Sequence, residues 1–218
     1  GWTAARSHSV SLGYTASAVW FRLRVDARGT DAVIPVDAIV EIAYPLLKDL
    51  QVHGAEAYVL QLGAGLPFAQ RPIAHRNFLI PVVVQPGRTL ELLVRARTDT
   101  AMQFPVQVRE RVEREHAEQG ILLLHGAYLG VVVAMLAYNL FMLVVLRDLI
   151  YAWYVGWMVL LAGFVGSMSG LAFQWLWPQS PGWNYISLPL FLSLSLAFAS
   201  QFYAEFLRLR ATWRRGWW

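Results

Sequence analysis

The chain has 218 residues, of which 57% are hydrophobic and 15% charged, a balance too apolar for an ordinary soluble domain. Its net charge of +4 is almost wholly arginine, with Lys48 the only lysine, and these arginines are scattered among acidic residues rather than gathered in a stripe, which argues against nucleic acid as a partner. The absence of cysteine excludes disulfides and thiolate metal sites.

The chain opens at Gly1 without an initiator Met or a basic-then-apolar leader, so the expectation is that a signal peptide has been removed or that the sequence starts inside a longer protein. Residues 1–108 carry most of the charge and proline and are expected to form one soluble domain. Within it, residues 17–25 alternate: Val19, Phe21, Leu23 and Val25 share one face and Trp20, Arg22 and Arg24 the other, the period of a half-buried strand. Residues 39–44 and 47–53 are further strand candidates separated by Pro45, and residues 58–62 run into a glycine-punctuated loop from Gly63 to Pro67. Phe78, Ile80 and Val82 alternate again, Gln85-Pro86-Gly87-Arg88 reads as a turn, residues 90–98 place Leu90, Leu92, Val94 and Ala96 inward, and residues 105–109 form a last short strand. Short strands at this spacing, with no helical period between them, predict an antiparallel β-sandwich.

Residues 109–120 change to dense mixed charge and are expected to be a solvated connector, with Arg109–Glu113 and Arg111–Glu115 at helical pairing distance. Beyond it the chain is membrane-like. No Asp, Glu, Lys or Arg occurs in residues 121–146 or 149–204. A helix rises about 1.5 Å per residue and a bilayer core is about 30 Å thick, so these runs hold about three crossings. They are expected at 121–146, 149–173 and 186–207, with a Trp/Pro-rich loop at 174–185 and a basic tail at 208–218. The tail carries Arg208, Arg210, Arg214 and Arg215, whereas the loop between the second and third crossings carries no basic residue. By the positive-inside rule the tail is cytoplasmic and the β-domain external, periplasmic in a Gram-negative cell.

Gly126, Gly130 and Ala134 form one small-residue series and Gly166 with Gly170 another, spacings that suit close helix packing within the chain, with homodimerisation as the lesser alternative. Asn139 is the most polar residue of its span and is expected to bond another helix.

The order Val19-Trp20-Phe21-Arg22, then Gly63, Leu66-Pro67-Phe68 and Arg71, then Leu93-Val94-Arg95, resembles the second type of extracellular domain of bacterial seven-transmembrane receptors with diverse intracellular signalling modules. Gly126-Ala127-Tyr128-Leu129-Gly130, Ala137-Tyr138-Asn139-Leu140-Phe141, Arg147-Asp148, Tyr151, Tyr154-Val155 and Trp177-Pro178 resemble the opening of that family's membrane domain. The resemblance covers nearly the whole chain. It implies a jelly-roll-like periplasmic sensor for carbohydrate or another small ligand, joined to seven helices and commonly to a histidine kinase or diguanylate cyclase. With about three helices present, the chain reads as a truncated member whose output module is absent.

The five histidines, His8, His53, His75, His116 and His125, lack metal-ligand spacing, and no phosphate-cradling loop, nucleophile elbow or zinc-protease motif occurs; neither catalysis nor a cofactor is expected. The ligand-binding candidates are Trp20, Arg22, Tyr58, Arg71, Arg76 and Arg95, because an aromatic ring stacks on a sugar face and arginine forks hold hydroxyls or carboxylates. Taken singly, each is more readily explained as a sheet cover or as a partner of Glu41, Glu91 or Asp99. The functional expectation is a receptor. Its rival is a membrane-anchored module that docks another periplasmic protein.

Overall fold

The structure is a computed structural model and describes residues 2–4, 9–15, 17–26, 35–54 and 59–208, without the side chains of residues 26, 111–113 and 115–117. Among the described residues, eight strands form two four-stranded antiparallel sheets. One sheet has the order β1 (Ser9–Tyr14), β8 (Ala101–Glu110), β3 (Val36–Ile42), β6 (Phe78–Val84). The other has the order β2 (Val19–Asp26), β7 (Thr89–Arg97), β4 (Asp49–His53), β5 (Val59–Leu62). Apart from the β4–β5 hairpin, successive strands alternate between the sheets, which is the eight-strand jelly roll.

Alternation is the cause of this packing. Phe21 pairs with Val94 and Leu23 with Leu92 across β2 and β7, so one side of that sheet is continuously apolar. It meets Val40, Ile42, Phe78, Ile80, Met102 and Phe104 from the other sheet in the buried core. Phe21 stacks on Phe104 with ring centroids 3.9 Å apart, joining the sheets. Each such buried side chain stabilises the fold by about 1.5–3 kcal/mol.

Two strands differ from the sequence expectation. The first, Ser9–Tyr14, is an edge strand with five of its six residues exposed, and so it carries no alternating apolar signal. The last begins at Ala101 rather than at residue 105. Pro105 sits inside it without breaking the sheet because residues 101–105 pair with β1 and residues 106–110 with β3, so the missing N–H falls where the strand changes partner. Gly63, at φ 145, is required by the turn after β5: a Cβ there would collide with the Lys48 carbonyl.

The segment expected at 109–120 as a connector has no secondary-structure element of its own. Arg109 and Glu110 complete β8, and helix α1 (Arg111–Leu146) follows without a break, so Arg109 lies in a strand and not one helical turn ahead of residue 113. Helix α2 (Leu149–Met168) ends five residues before the expected limit, because Gly170 adopts φ 77 and starts a new short helix, α3 (Leu171–Trp175). Helix α4 (Pro181–Phe206) starts earlier than residue 186, with Pro181 in its first position, where a missing N–H costs nothing. Among the described residues, three helices are long and apolar enough to cross a membrane. Of the basic tail, only Arg208 lies within the described residues.

The chain divides into two compact units, Gly1–Glu118 with Met168–Asn184, and Gln119–Ser167 with Tyr185–Trp218. In the second, α2 and α4 pack antiparallel: Trp153 meets Phe198, Trp157 meets Phe202, and Ser187 donates to Ser167 at 3.4 Å. Gly156 accepts the Phe198 ring and Gly163 the Phe191 ring against bare backbone. Glycine therefore opens the helix interface here, one helix later than the small-residue series at 126–134 suggests.

Candidate functional site

The outer face of the β2-β7-β4-β5 sheet collects three of the six ligand candidates. Trp20 is paired with Arg95, Arg95 with Gln51, and Gln51 with Gln61, so the four form one row across the sheet. The adjacent row on that face is Arg22, Leu93, His53 and Val59. Trp20 is 47% exposed, and its ring lies 5.5 Å from that of His53. Arg22 Nε is 3.0 Å from Glu91 Oε1 and its guanidinium lies 4.5 Å from the Trp2 ring; Arg95 Nη1 is 2.9 Å from Asp49 Oδ2. Both arginines are thus charge-compensated, one of them by the predicted Glu91. The face presents an aromatic platform flanked by amides, which suits a polar ligand of low net charge better than a polyanion. Tyr58 lies outside the described residues.

Arg71 and Arg76 lie elsewhere, in the segment between β5 and β6. Pro67 and a 3₁₀ turn at Phe68–Gln70 bring Arg71 against three rings, with its guanidinium 4.6 Å from Phe68, 4.5 Å from Phe78 and 5.7 Å from Phe173. Arg71 Nη1 donates to the carbonyls of His75 at 2.6 Å and Arg76 at 2.8 Å. Burial lowers its pKa to about 10, and it remains a cation at neutral pH. These contacts make it a clamp on its own loop.

Arg76 belongs to a buried ionic joint. Its Nη1 is 2.9 Å from Glu118 Oε1, which also lies 3.1 Å from His75 Nε2. Arg114 completes the group, 3.5 Å from Glu41 and 4.0 Å from Glu118, and Asn77 Nδ2 donates to Glu41 at 2.6 Å. Two arginines thus face two glutamates, the balance that a buried cluster requires. His75 Nδ1 accepts the Asn77 N–H at 3.1 Å, so the neutral ring carries its hydrogen on Nε2, which lies 3.1 Å from Glu118 Oε1 without hydrogen-bond alignment. Burial holds the His75 pKa below its ordinary value against the opposing pull of Glu118.

The same unit includes the segment between α2 and α4. Phe173 is buried edge-on against Phe68 at 5.8 Å, and Phe68 N donates to Pro178 O at 2.9 Å. Gly170 fits only without a side chain, since a Cβ there would lie 2.8 Å from Pro45 Cβ and 3.3 Å from Arg76 O. Trp177 Nε1 donates to Asn184 Oδ1 at 3.2 Å, bracing the turn into α4.

Among the expected helix-packing residues, Gly126 and Gly130 face open space, since a Cβ added at either would meet no atom within 4 Å, and Ala134 is exposed. Asn139 Nδ2 donates to Met135 O of its own helix at 2.8 Å rather than to another helix. Gly166 is inside α2, whereas Gly170 is the left-handed residue beyond its end and packs on Pro45. Sequence reasoning named Glu41 as an arginine partner but missed His75, Asn77, Arg114, Glu118 and Phe173. The available signal was the i,i+4 spacing of Arg114 and Glu118 just ahead of an uncharged run, which marks charges placed where a helix leaves water.

A family model described as 7TMR-DISM extracellular 2 matches residues 1–110, and one described as 7TM diverse intracellular signalling matches residues 121–218. No curated protein matches the chain. With an eight-stranded sandwich under the first match and three long apolar helices under the second, the chain belongs to the family of seven-transmembrane receptors with diverse intracellular signalling modules and is a membrane protein with an extracellular domain.

Proposed function

We infer that the protein senses a small polar ligand, with saccharides foremost, on the outer face around Trp20, His53, Gln51 and Gln61, and relays occupancy into its membrane helices. Arg22 and Arg95 serve as side walls held by Glu91 and Asp49. The observation that carries this reading is that the first turns of α1 and the whole α2–α4 connection fold as part of the β-sandwich unit. A change in the sandwich therefore has covalent routes into three helices. Relay requires the ligand to bind two arrangements of the joint with different affinity.

The orientation supported by the basic residues is external sandwich and internal C-terminus, in a bacterial inner membrane: Arg147 in the α1–α2 turn and Arg208 after α4 fall on one side, and the α2–α4 connection carries no basic residue. Output would pass to a histidine kinase or diguanylate cyclase module, and this chain itself would be non-catalytic. Thermal-shift screening of the full chain in lipid nanodiscs, against saccharides and organic acids, tests the reading. A saccharide that raises the melting temperature of the native chain and not of Trp20→Ala supports it. No stabilisation across the screen, with a stoichiometric periplasmic protein recovered by crosslinking, would replace the sensor with a docking module.

A further inference from the structure

His75 occupies an unusual position for a titratable group. Its Nδ1, the atom that must take up the proton, is already the acceptor of the Asn77 N–H at 3.1 Å. Protonation therefore sets N–H against N–H, and one of them must move. The new charge also arrives beside Arg76 and Arg114, the cations of the joint, while Glu118 on α1 is its one direct carboxylate partner at 3.1 Å and Glu41 on β3 is committed to Arg114 and Asn77. Among the described residues, these four and Arg71, which holds the His75 carbonyl, are the charged groups around the ring.

The segment 75–77 has little freedom to absorb such a change. Its carbonyls at 75 and 76 are gripped by Arg71, its Asn77 side chain by Glu41, and the Arg76 carbonyl lies against Gly170. A shift of Asn77 thus reaches β3, the start of α1 and the α2–α4 connection together.

We propose that His75 is a proton-operated release of the joint between the loop preceding β6 and the first turns of α1, so that acidification outside the membrane loosens the sandwich's hold on Glu118 independently of any ligand on the Trp20 face. The sign follows from the lowered pKa. The folded state takes up the proton less readily than the unfolded chain, so the stabilisation is complete above the unfolded value of about 6.5 and is lost as pH falls from there toward the folded value.

The test compares the full native chain with His75→Asn in nanodiscs. Asparagine offers a carbonyl oxygen near the Nδ1 position and cannot be protonated. Melting temperature is recorded from about pH 8 to pH 5, a range that brackets the ordinary histidine pKa. The native chain is expected to lose about 3–5 °C more than the variant below about pH 6.5. In the same window, amide exchange should rise at residues 75–77 and 111–118 of the native chain alone. Parallel pH profiles for the two proteins would overturn the proposal. If His75→Asn does not fold, ¹⁵N NMR of the histidine-labelled native chain decides: a ring whose Nδ1 is protonated together with a shift of the Asn77 amide supports it, and an Asn77 amide indifferent to that titration refutes it.

Discussion

Arg76 and Glu118 lie 2.9 Å apart with side chains only 9% and 17% exposed, tying the loop ahead of β6 to the first turns of the first membrane helix. Removing one partner leaves the other charge buried. Arg76→Met is therefore expected to destabilise the sandwich by about 3–5 kcal/mol. Arg22→Ala, whose partner Glu91 is 45% exposed, is expected to cost less than about 1 kcal/mol. Denaturant titration of the full chain, followed by near-ultraviolet circular dichroism, distinguishes the two; equal losses would contradict a buried joint.

Arg71 should not tolerate lysine. The planar guanidinium lies against Phe68 and Phe78 while one nitrogen reaches two carbonyls, and an ammonium has neither the plane nor the fork. Arg71→Lys is expected to cost about 1–3 kcal/mol, with exchange rising first in residues 71–77. A neutral outcome would mean that the cage contributes no more than apolar packing of the stem.

Gly170 and Gly126 make a paired test of where small residues matter. Gly170→Ala meets both a left-handed backbone and the Pro45 ring and should cost about 1–3 kcal/mol, loosening α3 from the sandwich. Gly126→Ala enters open space on a helix and should be neutral or stabilising by up to about 1 kcal/mol. Chymotrypsin susceptibility of the α2–α4 connection, which offers Phe173 and Trp175, reads the difference in nanodiscs.

Asn139 should be replaceable. Its amide is satisfied by Met135 O within its own helix, so Asn139→Leu is expected to change stability by less than about 1 kcal/mol, measured by sodium dodecyl sulfate titration of the purified chain. A larger loss would identify a second helix as its partner.

The sandwich was legible because its core strands alternate cleanly: Phe21, Leu23, Leu92 and Val94 each face inward as their spacing requires. The edge strand at Ser9–Tyr14 was not, since an exposed edge needs no apolar face. Helix lengths were readable from uncharged runs, but their ends were set by Gly170 and Pro181, whose effects depend on backbone conformation and neighbours. Trp20, Arg22 and Arg95 reached one face because two-residue periodicity and register place them there. Arg71 and Arg76 looked alike in sequence but proved to be a loop clamp and a joint residue. Glu41, His75 and Glu118 come from separate elements, and no local pattern announces a contact between residues so far apart in the chain.

The most direct test of the receptor account is amide exchange of the full chain in nanodiscs, with and without a saccharide that raises its melting temperature. Protection is expected in β2, β4 and β7 at the Trp20 face, together with altered exchange at residues 75–77, 111–118 and 170–178. Protection confined to the outer face, with those three segments unchanged at saturating ligand, would contradict the claim that binding is relayed through the joint.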